Sequence, residues 1–549
     1  MVSGAVEQVR RWAPELAEAF AAQLPVAADV VGRRLLAALL REGLADDLGV
    51  GAGGGVGVRH GFGRVQVRRL PAGWSMAGSL AGAVGGAALL TELADAVINQ
   101  AIASARAGRV AGPCGGADAG AVAAERWAIQ GHNLHPCGRT RLGWSVPDVL
   151  AHDVEGPGTS VRFVGVRRGL SRGDDVGAAL ARLYPQTPAA PPGYVTQPVH
   201  AWQLGALLRG QREAFEEGLL TVLDGELPAW PGAAVRTVLL PPGADGRARY
   251  LKLSLDVQIT STRRTISVAS ARNGAPVGQT LRKALGDDPD GHRVLLLDEV
   301  AGAGAPAVGD GRQVSAILRE GLDGQLVAGE RAVPGVALAA VGPDGRSGVA
   351  TVVDEFAAAR GLWDGSAAAL AFVGEYGRLL LGPALRLASR CGIGVEAHLQ
   401  NCLPTFVAGA PYRMVWRDFA GLRLFPPRLA AAGLATPLWP GSAIVAESVE
   451  QVRAKVGYTA LQAHLGEVVV QLVGSHGLDE RAAWRVVRQV VDEALAPLRA
   501  DPVTAAAADA DHAAWTAPTV PHKALVRMRL AGGGDRYRPA PNPLRRGTW

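Results

Sequence analysis

Lysine is scarce in this sequence of 549 residues. Only four of its 56 basic residues are lysines, Lys252, Lys283, Lys455 and Lys523. The excess of arginine, beside abundant alanine, glycine and valine, indicates a GC-rich coding bias. A lysine kept against that bias marks a position that needs a compact ammonium group, because a planar guanidinium does not replace it. Lys252 and Lys523 are therefore candidates for a specific role.

Cysteine is also scarce. The four cysteines form no CxxC pair, and no histidine stands at zinc-finger spacing from two of them. We expect reduced thiols in a cytoplasmic protein. The first residues include Glu7, Arg10 and Arg11 and lack an apolar core, so no signal peptide is expected. The cysteines are Cys114, Cys137, Cys391 and Cys402.

Long apolar runs are missing. The most apolar stretch, residues 79–98, is interrupted by Glu92 and Asp95, which predicts a packed helix instead of a membrane span. The formal net charge of +6 is spread along the chain without a basic block. That distribution argues against nucleic-acid and membrane partners, while leaving room for pockets that bind small anions.

The hydrophobic content of 48% is that of a folded protein, and the length suits two to four domains. Residues 51–63 are rich in glycine but lack GK[ST], so we expect a flexible hairpin or loop there and not a phosphate cradle. The other expectations are helices at 1–47, 76–109, 202–223, 355–391 and 427–500, a polar loop region at 271–312 with one strand at 294–297, sheet segments at 333–341 and 348–353, a loose loop at 501–520, and an alternating segment at 521–530.

Polar side chains are concentrated in residues 396–424. Glu396, His398 and Gln400 alternate with apolar residues, which places all three on one face of a predicted strand. A hairpin with a merely solvated polar face is the competing interpretation.

The same stretch predicts a metal site. Asn401 follows the first strand, a turn is expected at 409–411, and a second strand at 412–417 brings Arg417 and Asp418 beside it. Oxygens of Asn401 and Asp418 can then share a hard cation such as Mg²⁺.

A second polar cluster lies in residues 131–145, which glycine and proline break into a loop. It contains His132, His135, Arg139 and Arg141. Two guanidinium groups and two imidazoles suit a phosphate or carboxylate ligand. A metal site is less favoured, because the HxxH spacing has no carboxylate or thiol ligand nearby, and a structural loop is the remaining alternative.

The clearest predicted strand begins at residue 250. Leucine, valine and isoleucine alternate with a polar side that runs from Lys252 to Thr260. A straight strand from Lys252 to Arg264 would span roughly 40 Å, so the chain must bend if both serve one ligand. Residues 260–262 are helix N-cap residue types, which predicts a turn into a helix with Arg264 at an anion-binding helix start.

Six motifs, in this order, resemble the IucA/IucC family, the siderophore synthetases that act independently of nonribosomal peptide synthetases. Each motif alone is weak, but six in sequence are specific, and together they reach from about residue 125 to the C-terminus. The motifs are the GHPxHPxxKxRxG-like loop at 131–143, VHAWQ at 199–203, the SxRT-like 234–237, the KLS…ITSxxRT-like 252–265, the EaHxQN…RDxxG-like 396–421 and the K…MRL tail at 523–530.

The resemblance implies an α+β, hand-like protein, often a homodimer. Its parts would be a helical thumb at 1–120, fingers at 121–360 that bind anions and ATP phosphates, and a FhuF-like palm at 361–549. It also implies an ATP- and Mg²⁺-dependent ligase of siderophore biosynthesis. Such an enzyme adenylates citrate, a citryl derivative or a succinyl-hydroxamate and condenses it with an amine or hydroxyl, releasing AMP and pyrophosphate.

The resemblance also implies site residues, position by position. Arg264, His398 and Lys252 are expected in catalysis, with His398 binding the carboxylate or removing a proton from the amine. The expected contacts to the acid substrate are Glu396, His398, Arg264 and Thr260. The expected contacts to Mg²⁺ are Asn401 and Asp418. The expected contacts to ATP are His135, Arg139, Arg236, Thr237, Lys252, Arg264, Gln400, Asn401 and Asp418.

Three positions depart from the family pattern. Asn133 stands where the family has proline, Arg139 where it has lysine, and Ala234 where it has serine. The last change removes a hydroxyl, and with it a hydrogen bond worth about 1 kcal/mol if that group contacts a ligand. An altered acid substrate or weaker activity would follow.

Two other functions compete. His398, Asn401 and Asp418 echo the catalytic loop of a phosphotransferase, but the aspartate base expected just after the histidine is absent. The C-terminal third also resembles FhuF-like iron-reductase or transport domains, which suggests a non-catalytic iron- or siderophore-handling protein. The cysteines do not form an iron–sulfur motif, so a redox role is disfavoured.

Overall fold

The fold is α+β, as the sequence predicts. A computed structural model describes residues 2–45, 55–110, 112–342 and 345–545. The N-terminal elements are α1 Val2–Trp12, α2 Ala17–Glu42, β1 Gly57–Arg59, β2 Val65–Val67, α3 Met76–Leu80, α4 Gly86–Arg106 and α5 Gly116–Glu125.

The middle of the chain mixes short helices with strands. Its elements are α6 Val146–His152, β3 Thr159–Arg167, β4 Arg172–Gly173, α7 Val176–Ala181, β5 Tyr194–His200, α8 Ala201–Gly210, α9 Arg212–Glu216, β6 Leu220–Pro231, β7 Thr237–Leu239, β8 Arg249–Leu253, β9 Leu255–Ile259, β10 Thr262–Arg264, α10 Val268–Gly286, β11 Val294–Leu296, β12 Glu299–Gly304 and β13 Ser315–Glu320.

The C-terminal part is mostly helical. Its elements are β14 Glu330–Ala332, α11 Gly335–Ala339, α12 Gly348–Arg360, α13 Gly365–Arg386, β15 Ile393–Gly394, β16 Cys402–Val407, β17 Ala410–Trp416, β18 Arg423–Leu424, α14 Pro426–Ala431, α15 Val449–Val456, α16 Gly466–His476, α17 Glu480–Ala500, α18 Ala505–Trp515, β19 Thr519–Lys523, α19 Leu525–Leu530 and β20 Tyr537–Pro541.

An eight-stranded antiparallel sheet forms the middle of the molecule, in the order β4-β12-β13-β8-β7-β6-β3-β5. Side chains of β3 enter two different cores, since Phe163 belongs to one apolar cluster and Val164 to another. Every residue of β8 is buried. Lys252 therefore enters the interior from a strand that is covered on both faces.

A smaller, four-stranded sheet supports the C-terminal part, in the order β11-β17-β16-β14. Helix α13 packs on it through an aromatic contact, because the centroid of Phe372 lies 6.3 Å from that of Phe406 on β16. Within α13, Phe372 also stacks on Tyr376, with centroids 5.5 Å apart. Helix α17 also packs against α13. Trp484 on α17 meets Phe62 edge-on at 5.1 Å between centroids, which attaches the β1–β2 hairpin to the C-terminal core.

The N-terminal helices are joined to the last part of the described chain. The two carboxylate oxygens of Glu42 accept the backbone N–H groups of Val526 and Arg527 in α19, at 2.8 Å each. A carboxylate at a helix start satisfies N–H groups that have no partner within the helix. Helices α2 and α19 therefore hold a fixed position relative to each other.

The structure of segment 271–312 differs from the prediction. The strand near 294–297 and the helices at 355–391 are confirmed, but the surrounding segment is not a loop, because it contains α10 and β12. Gly302 of β12 permits close packing, since a Cβ there would lie 1.9 Å from the carbonyl oxygen of Ala271 on α10. The glycines that suggested a loop instead allow a helix to lie on the sheet.

Two further segments are helical against expectation. The sheet segments predicted at 333–341 and 348–353 are α11 and α12, and Ser347 caps α12. The loose loop predicted at 501–520 contains α18. Its Asp511 is fully buried and binds Arg428 and Arg453, at 2.7 Å each. Tertiary contacts of this kind override local propensity.

Other boundaries differ by several residues. The helix expected at 202–223 ends at Gly210, and β6 begins at Leu220. The alternating segment at 521–530 is a strand only as far as Lys523, and helix α19 begins at Leu525. The hairpin expected in 51–63 is present from Gly57, while residues 46–54 lie outside the described part. The division of the chain at 120 and 360 stays a prediction.

No helix in the described ranges is long and apolar enough to cross a membrane.

Trp484 tests the contact between the hairpin and the C-terminal core. We expect Trp484→Ala to lower the free energy of unfolding by about 3–5 kcal/mol, because this side chain is 1% exposed. Chemical denaturation followed by circular dichroism measures the change. Trp363 is 92% exposed, so Trp363→Ala is the matched control and should change stability by less than about 0.5 kcal/mol. Equal losses in the two variants would contradict the packing.

Candidate active site

A cleft of about 400 Å³ lies where the eight-stranded sheet meets the C-terminal part. Most of the predicted site residues line it, and His135 does not. The predicted residues in the lining are Arg139, Arg236, Thr237, Lys252, Thr260, Arg264, Glu396, His398, Gln400, Asn401 and Asp418.

One wall is the segment 396–401, whose conformation differs from expectation. The alternation of burial is present, since the side chains of 395, 397 and 399 are buried and those of Glu396, His398 and Gln400 are partly exposed. The segment pairs with no neighbouring strand, however, and turns at 398–401, where the Asn401 N–H donates to the His398 carbonyl at 3.0 Å. Strand β16 begins only at Cys402. A turn, not a strand face, thus presents these groups to the cleft.

Glu396 is held by three neighbours. Its Oε1 accepts from Lys455 Nζ at 2.8 Å, its Oε2 accepts from Asn401 Nδ2 at 3.3 Å, and His398 Nε2 lies 3.7 Å from Oε2. Burial opposes ionisation of this carboxyl, but Lys455 and His398 outweigh it and lower its pKa to about 2. Burial also lowers the pKa of His398 below 6.5. At neutral pH the cleft therefore holds a carboxylate beside an uncharged imidazole.

Asp418 joins this wall to the large sheet. Its Oδ1 lies 2.5 Å from Lys252 Nζ and 3.9 Å from Arg319 Nη2. Burial would raise the pKa of Asp418, yet the charges of Lys252 and Arg319 hold it well below its ordinary value. The residue has φ +67°, a backbone conformation that is uncommon outside glycine. Its position is therefore maintained by the ion pair and the surrounding packing.

The opposite wall carries two arginines that have no carboxylate within ion-pair distance in the described part of the chain. Arg236 donates to the carbonyls of Arg264 and Thr265, at 2.8 and 3.2 Å. Arg264 donates to the Ile259 carbonyl at 3.0 Å and to Thr260 Oγ1 at 2.9 Å, while its Nε is buried without a hydrogen-bond partner.

The positive charges of Arg236 and Arg264 are destabilising in the absence of an anion. Burial, followed by repulsion from Arg236, lowers the pKa of Arg264 to about 9. Burial also lowers the pKa of Arg236. Two adjacent guanidinium groups that lack an anion are stabilised by a ligand that supplies one, because charge-assisted, bidentate bonds to phosphate or carboxylate are the strongest they form.

The bend that the sequence requires between Lys252 and Arg264 is a hairpin. Strands β9 and β10 are antiparallel and meet at Thr260, which has φ +57°. The prediction of a helix directly after residues 260–262 is wrong, because α10 begins only at Val268, where Ser267 caps it. Arg264 is thereby folded back toward the base of β8 and reaches the same cleft as Lys252.

The histidine loop contributes differently from expectation. His135 is buried, with Nε2 2.7 Å from Ser261 Oγ and Nδ1 accepting from the Cys137 N–H at 3.0 Å. It supports the hairpin that carries Arg264. His132 lines the cleft in its place, whereas the resemblance implied that His135 contacts ATP.

Arg139 borders the cleft but is already neutralised. Its guanidinium binds Glu155 at 3.1 and 2.9 Å and Asp153 at 3.1 Å, and Arg141 binds the same aspartate at 3.0 Å. The side chain of Arg139 is 3% exposed. This buried network fixes the loop, so a contact from Arg139 to ATP stays a prediction that the geometry does not favour.

One functional candidate was missed. Lys455 holds Glu396, and its signal in the sequence was the scarcity of lysine. Arg417 was expected beside Asp418 but was given no role. It forms an ion pair with Glu125 and donates to the Gln400 carbonyl at 3.0 and 2.9 Å, which ties the turn at 398–401 to α5.

The side-chain oxygens in the wall formed by residues 396–401 and Asp418 are suitable ligands for magnesium. In the described ranges, no three His, Cys, Asp or Glu residues are grouped as a complete metal cage. Magnesium, however, commonly takes one or two carboxylates and completes its shell with water and substrate phosphate. Glu396, Asn401 and Asp418 offer such oxygens, although Asp418 Oδ1 is engaged by Lys252 and the Asn401 amide nitrogen by Glu396.

Two family models match the chain. Residues 120–340 match the IucA / IucC family, and residues 370–538 match the ferric iron reductase FhuF-like transporter. D-ornithine–citrate ligase of Staphylococcus aureus is 26% identical over 451 residues, which are 75% of this chain and 68% of that protein. The rhizobactin siderophore biosynthesis protein RhbC of Rhizobium meliloti is 27% identical over 447 residues, covering 75% and 71%.

Solved structures share the fold along almost the whole chain. Petrobactin biosynthesis protein AsbB of Bacillus anthracis superposes with a TM-score of 0.80 at 18% identity, covering 95% of this chain and 96% of that one. ATP-bound aerobactin synthetase IucA of Klebsiella pneumoniae gives 0.76 at 19% identity, covering 94% and 100%. The matched segments contain the six motifs and the cleft that they build, and the chain belongs to the IucA/IucC family of siderophore synthetases.

Proposed function

We propose that this protein is a ligase of siderophore biosynthesis that activates a carboxylic acid with ATP and joins it to an amine or hydroxyl. The observation that carries the proposal is the pair Arg236 and Arg264, two half-buried cations without a carboxylate partner in the described chain, beside Lys252. They face a wall with a carboxylate and an uncharged imidazole. Transfer of an adenylyl group to a carboxylate needs such fixed cations, because negative charge grows on the α-phosphate and on the pyrophosphate that leaves.

The first step forms an acyl adenylate. An oxygen of the substrate carboxylate attacks the α-phosphorus of ATP, and the bond from that phosphorus to the β-phosphate oxygen breaks, releasing pyrophosphate. Arg236 and Arg264 would bind the phosphate oxygens on which charge accumulates. Mg²⁺ held by Asp418, Asn401 and Glu396 would supply further positive charge to the polyphosphate.

The second step transfers the acyl group. The amine nitrogen attacks the carbonyl carbon, and the bond to the AMP oxygen breaks, so that AMP leaves with the electron pair. His398 is uncharged at neutral pH and would take the proton that the amine loses. Glu396 would keep that imidazole oriented and stabilise it once it is charged.

The named activities of relatives bear on the acid. D-ornithine–citrate ligase and L-2,3-diaminopropanoate–citrate ligase both carry citrate in their names. Citrate is therefore the first acid to test. Ala234 lines the cleft where the family motif has serine, and a missing hydroxyl there is the expected cause of any difference in acid preference.

A screen of acids tests the proposal. The purified chain is incubated with ATP, Mg²⁺ and hydroxylamine as the nucleophile, and with citrate, succinate, 2-oxoglutarate or a succinyl-hydroxamate. Release of AMP and pyrophosphate, with a hydroxamate product, is the expected result. Release of ADP would instead indicate a phosphotransferase. Turnover of none of these acids would leave the iron- or siderophore-handling function that the FhuF-like match suggests.

Arg264 is the residue whose loss should affect the first step most. We expect Arg264→Ala to lower acid-dependent ATP–pyrophosphate exchange by about 100-fold or more, since one charge-stabilising donor is worth that much. Arg282→Ala is the matched control, because Arg282 lies outside the lining of the cleft, is 59% exposed and is paired with Asp298. Circular dichroism confirms that both variants fold. Near-normal exchange in Arg264→Ala would remove Arg264 from the site.

His398 predicts the pH dependence of the second step. A base acts in its deprotonated form, so a pKa lowered below 6.5 keeps His398 active down to a lower pH than an ordinary histidine. The rate of aminolysis, corrected for amine protonation, should therefore show an acid limb that lies at a lower pH than that of an ordinary histidine. An acid limb centred at 7 that disappears in His398→Gln would contradict the assignment.

A further inference from the structure

A second cavity, of about 450 Å³, adjoins the cleft. Gly131 and Asn133 line both cavities, whereas His132 lines only the cleft and Leu134 only the second cavity. The loop 131–134 is thus a wall one chain thick. Helix α2 forms the far side of the second cavity, outside all six family motifs.

The second cavity is lined by four arginines, two of which are not neutralised. Arg33 pairs with Asp29 at 2.7 Å, and Arg64 with Glu467 at 2.6 Å. The remaining two are Arg34 and Arg41.

Arg34 and Arg41 have no carboxylate within ion-pair distance among the residues that the structure describes. Arg34 donates to Gln130, with Nη2 2.9 Å from Oε1, and Arg41 donates to the Phe62 carbonyl at 3.1 Å. Both partners are uncharged. Burial lowers the pKa of Arg34 to about 10 and that of Arg41 to about 9.

Unused donors point to a ligand. Nε of Arg41 and Nη1 of Arg64 are buried without a hydrogen-bond partner. An unpaired buried donor costs free energy, and nearly all such groups in folded proteins find a partner. Two such donors in a cavity with unneutralised guanidinium groups favour an anion there.

The acidic groups of the cavity are already engaged. Glu42 accepts two backbone N–H groups of α19. Glu467 accepts from Arg64, from Asn133 Nδ2 at 2.7 Å and from Gln471 Nε2 at 2.8 Å. Neither is bound to Arg34 or Arg41, so the cavity keeps an excess of positive charge.

We propose that this cavity binds the carboxylate of the nucleophile, so that the amine substrate is an amino acid. The inference rests on the proposed function, because only acyl transfer to a second substrate calls for such a site. The acid substrate must meet the α-phosphate beside Arg264 in the cleft. The amine of the second substrate must reach the adenylate from outside the ATP-binding surface. The second cavity, which adjoins the cleft at the loop 131–134, is placed to bind the carboxylate at the other end of that substrate.

A matched pair of amines tests this assignment. Ornithine and 1,4-diaminobutane present the same terminal amine and differ by one carboxylate. We expect the wild-type protein to use ornithine with a kcat/KM at least about tenfold higher. Arg34→Gln should lower the ratio of the two kcat/KM values about tenfold, mainly through the KM for ornithine, because a charge-assisted contact is lost.

Controls separate binding from folding. Arg41→Gln is the second variant, in case Arg34→Gln loosens its contact with Gln130. Arg212→Gln is the matched surface control, since Arg212 is 81% exposed, and it should leave the ratio unchanged. Equal losses with both amines, or a wild-type preference for 1,4-diaminobutane, would overturn the proposal.

Calorimetry keeps this test independent of the proposed function. Ornithine should bind the wild-type protein in the absence of ATP, and Arg34→Gln and Arg41→Gln should each weaken that binding about tenfold. If no acid supports pyrophosphate release but this pattern is found, the proposed function fails and the amino-acid site stands. If ornithine does not bind, or if the variants weaken citrate binding instead, the cavity does not hold the nucleophile.

Discussion

The ion pair between Lys252 and Asp418 is the contact on which the cleft depends. Lys252 comes from the central strand β8 of the large sheet, and Asp418 lies two residues after the end of β17 in the small sheet. Both lose hydration in the interior, and a buried ion pair is compensated only when its geometry is good and its remaining donors are satisfied. Here the pair also holds Asp418 at a positive φ. Removal of either partner would leave a charge in the interior and free the two walls to separate.

The distribution of charge around this pair gives the two walls different roles. Beyond Lys252 lie Arg236 and Arg264, which crowd positive charge where no carboxylate of the described chain reaches it. Beyond Asp418 lies Glu396, whose negative charge is balanced by Lys455. The fold could have closed this surface with a carboxylate at the arginines, as it does at Arg139. It leaves them open, and a phosphate or carboxylate ligand completes the arrangement.

Sequence reasoning located this surface through short motifs whose residue types report chemistry directly. The alternation of β9, the need for a bend before Arg264 and the grouping of 396–418 all follow from spacing. The local conformations did not follow. Residues 396–401 have the alternation of a strand but no neighbouring strand to pair with. Strand pairing depends on tertiary contacts, which the local sequence does not reveal. The glycines of 271–312 suggested a loop because nothing in the sequence says that Ala271 packs on Gly302. Asp511 gave no signal at all, since its two arginine partners are distant in the chain.

The second cavity explains why asparagine at position 133, where the family has proline, matters for this structure. Proline there could donate no hydrogen bond, whereas Asn133 donates to Glu467 at 2.7 Å and to the Ala463 carbonyl at 3.1 Å. Glu467 in turn binds Arg64. The loop that separates the two cavities is therefore fastened to the same carboxylate that neutralises one arginine of the second cavity. An anion bound in the second cavity would compete with Glu467 for Arg64, and any displacement of Glu467 would act on the loop through its contact with Asn133.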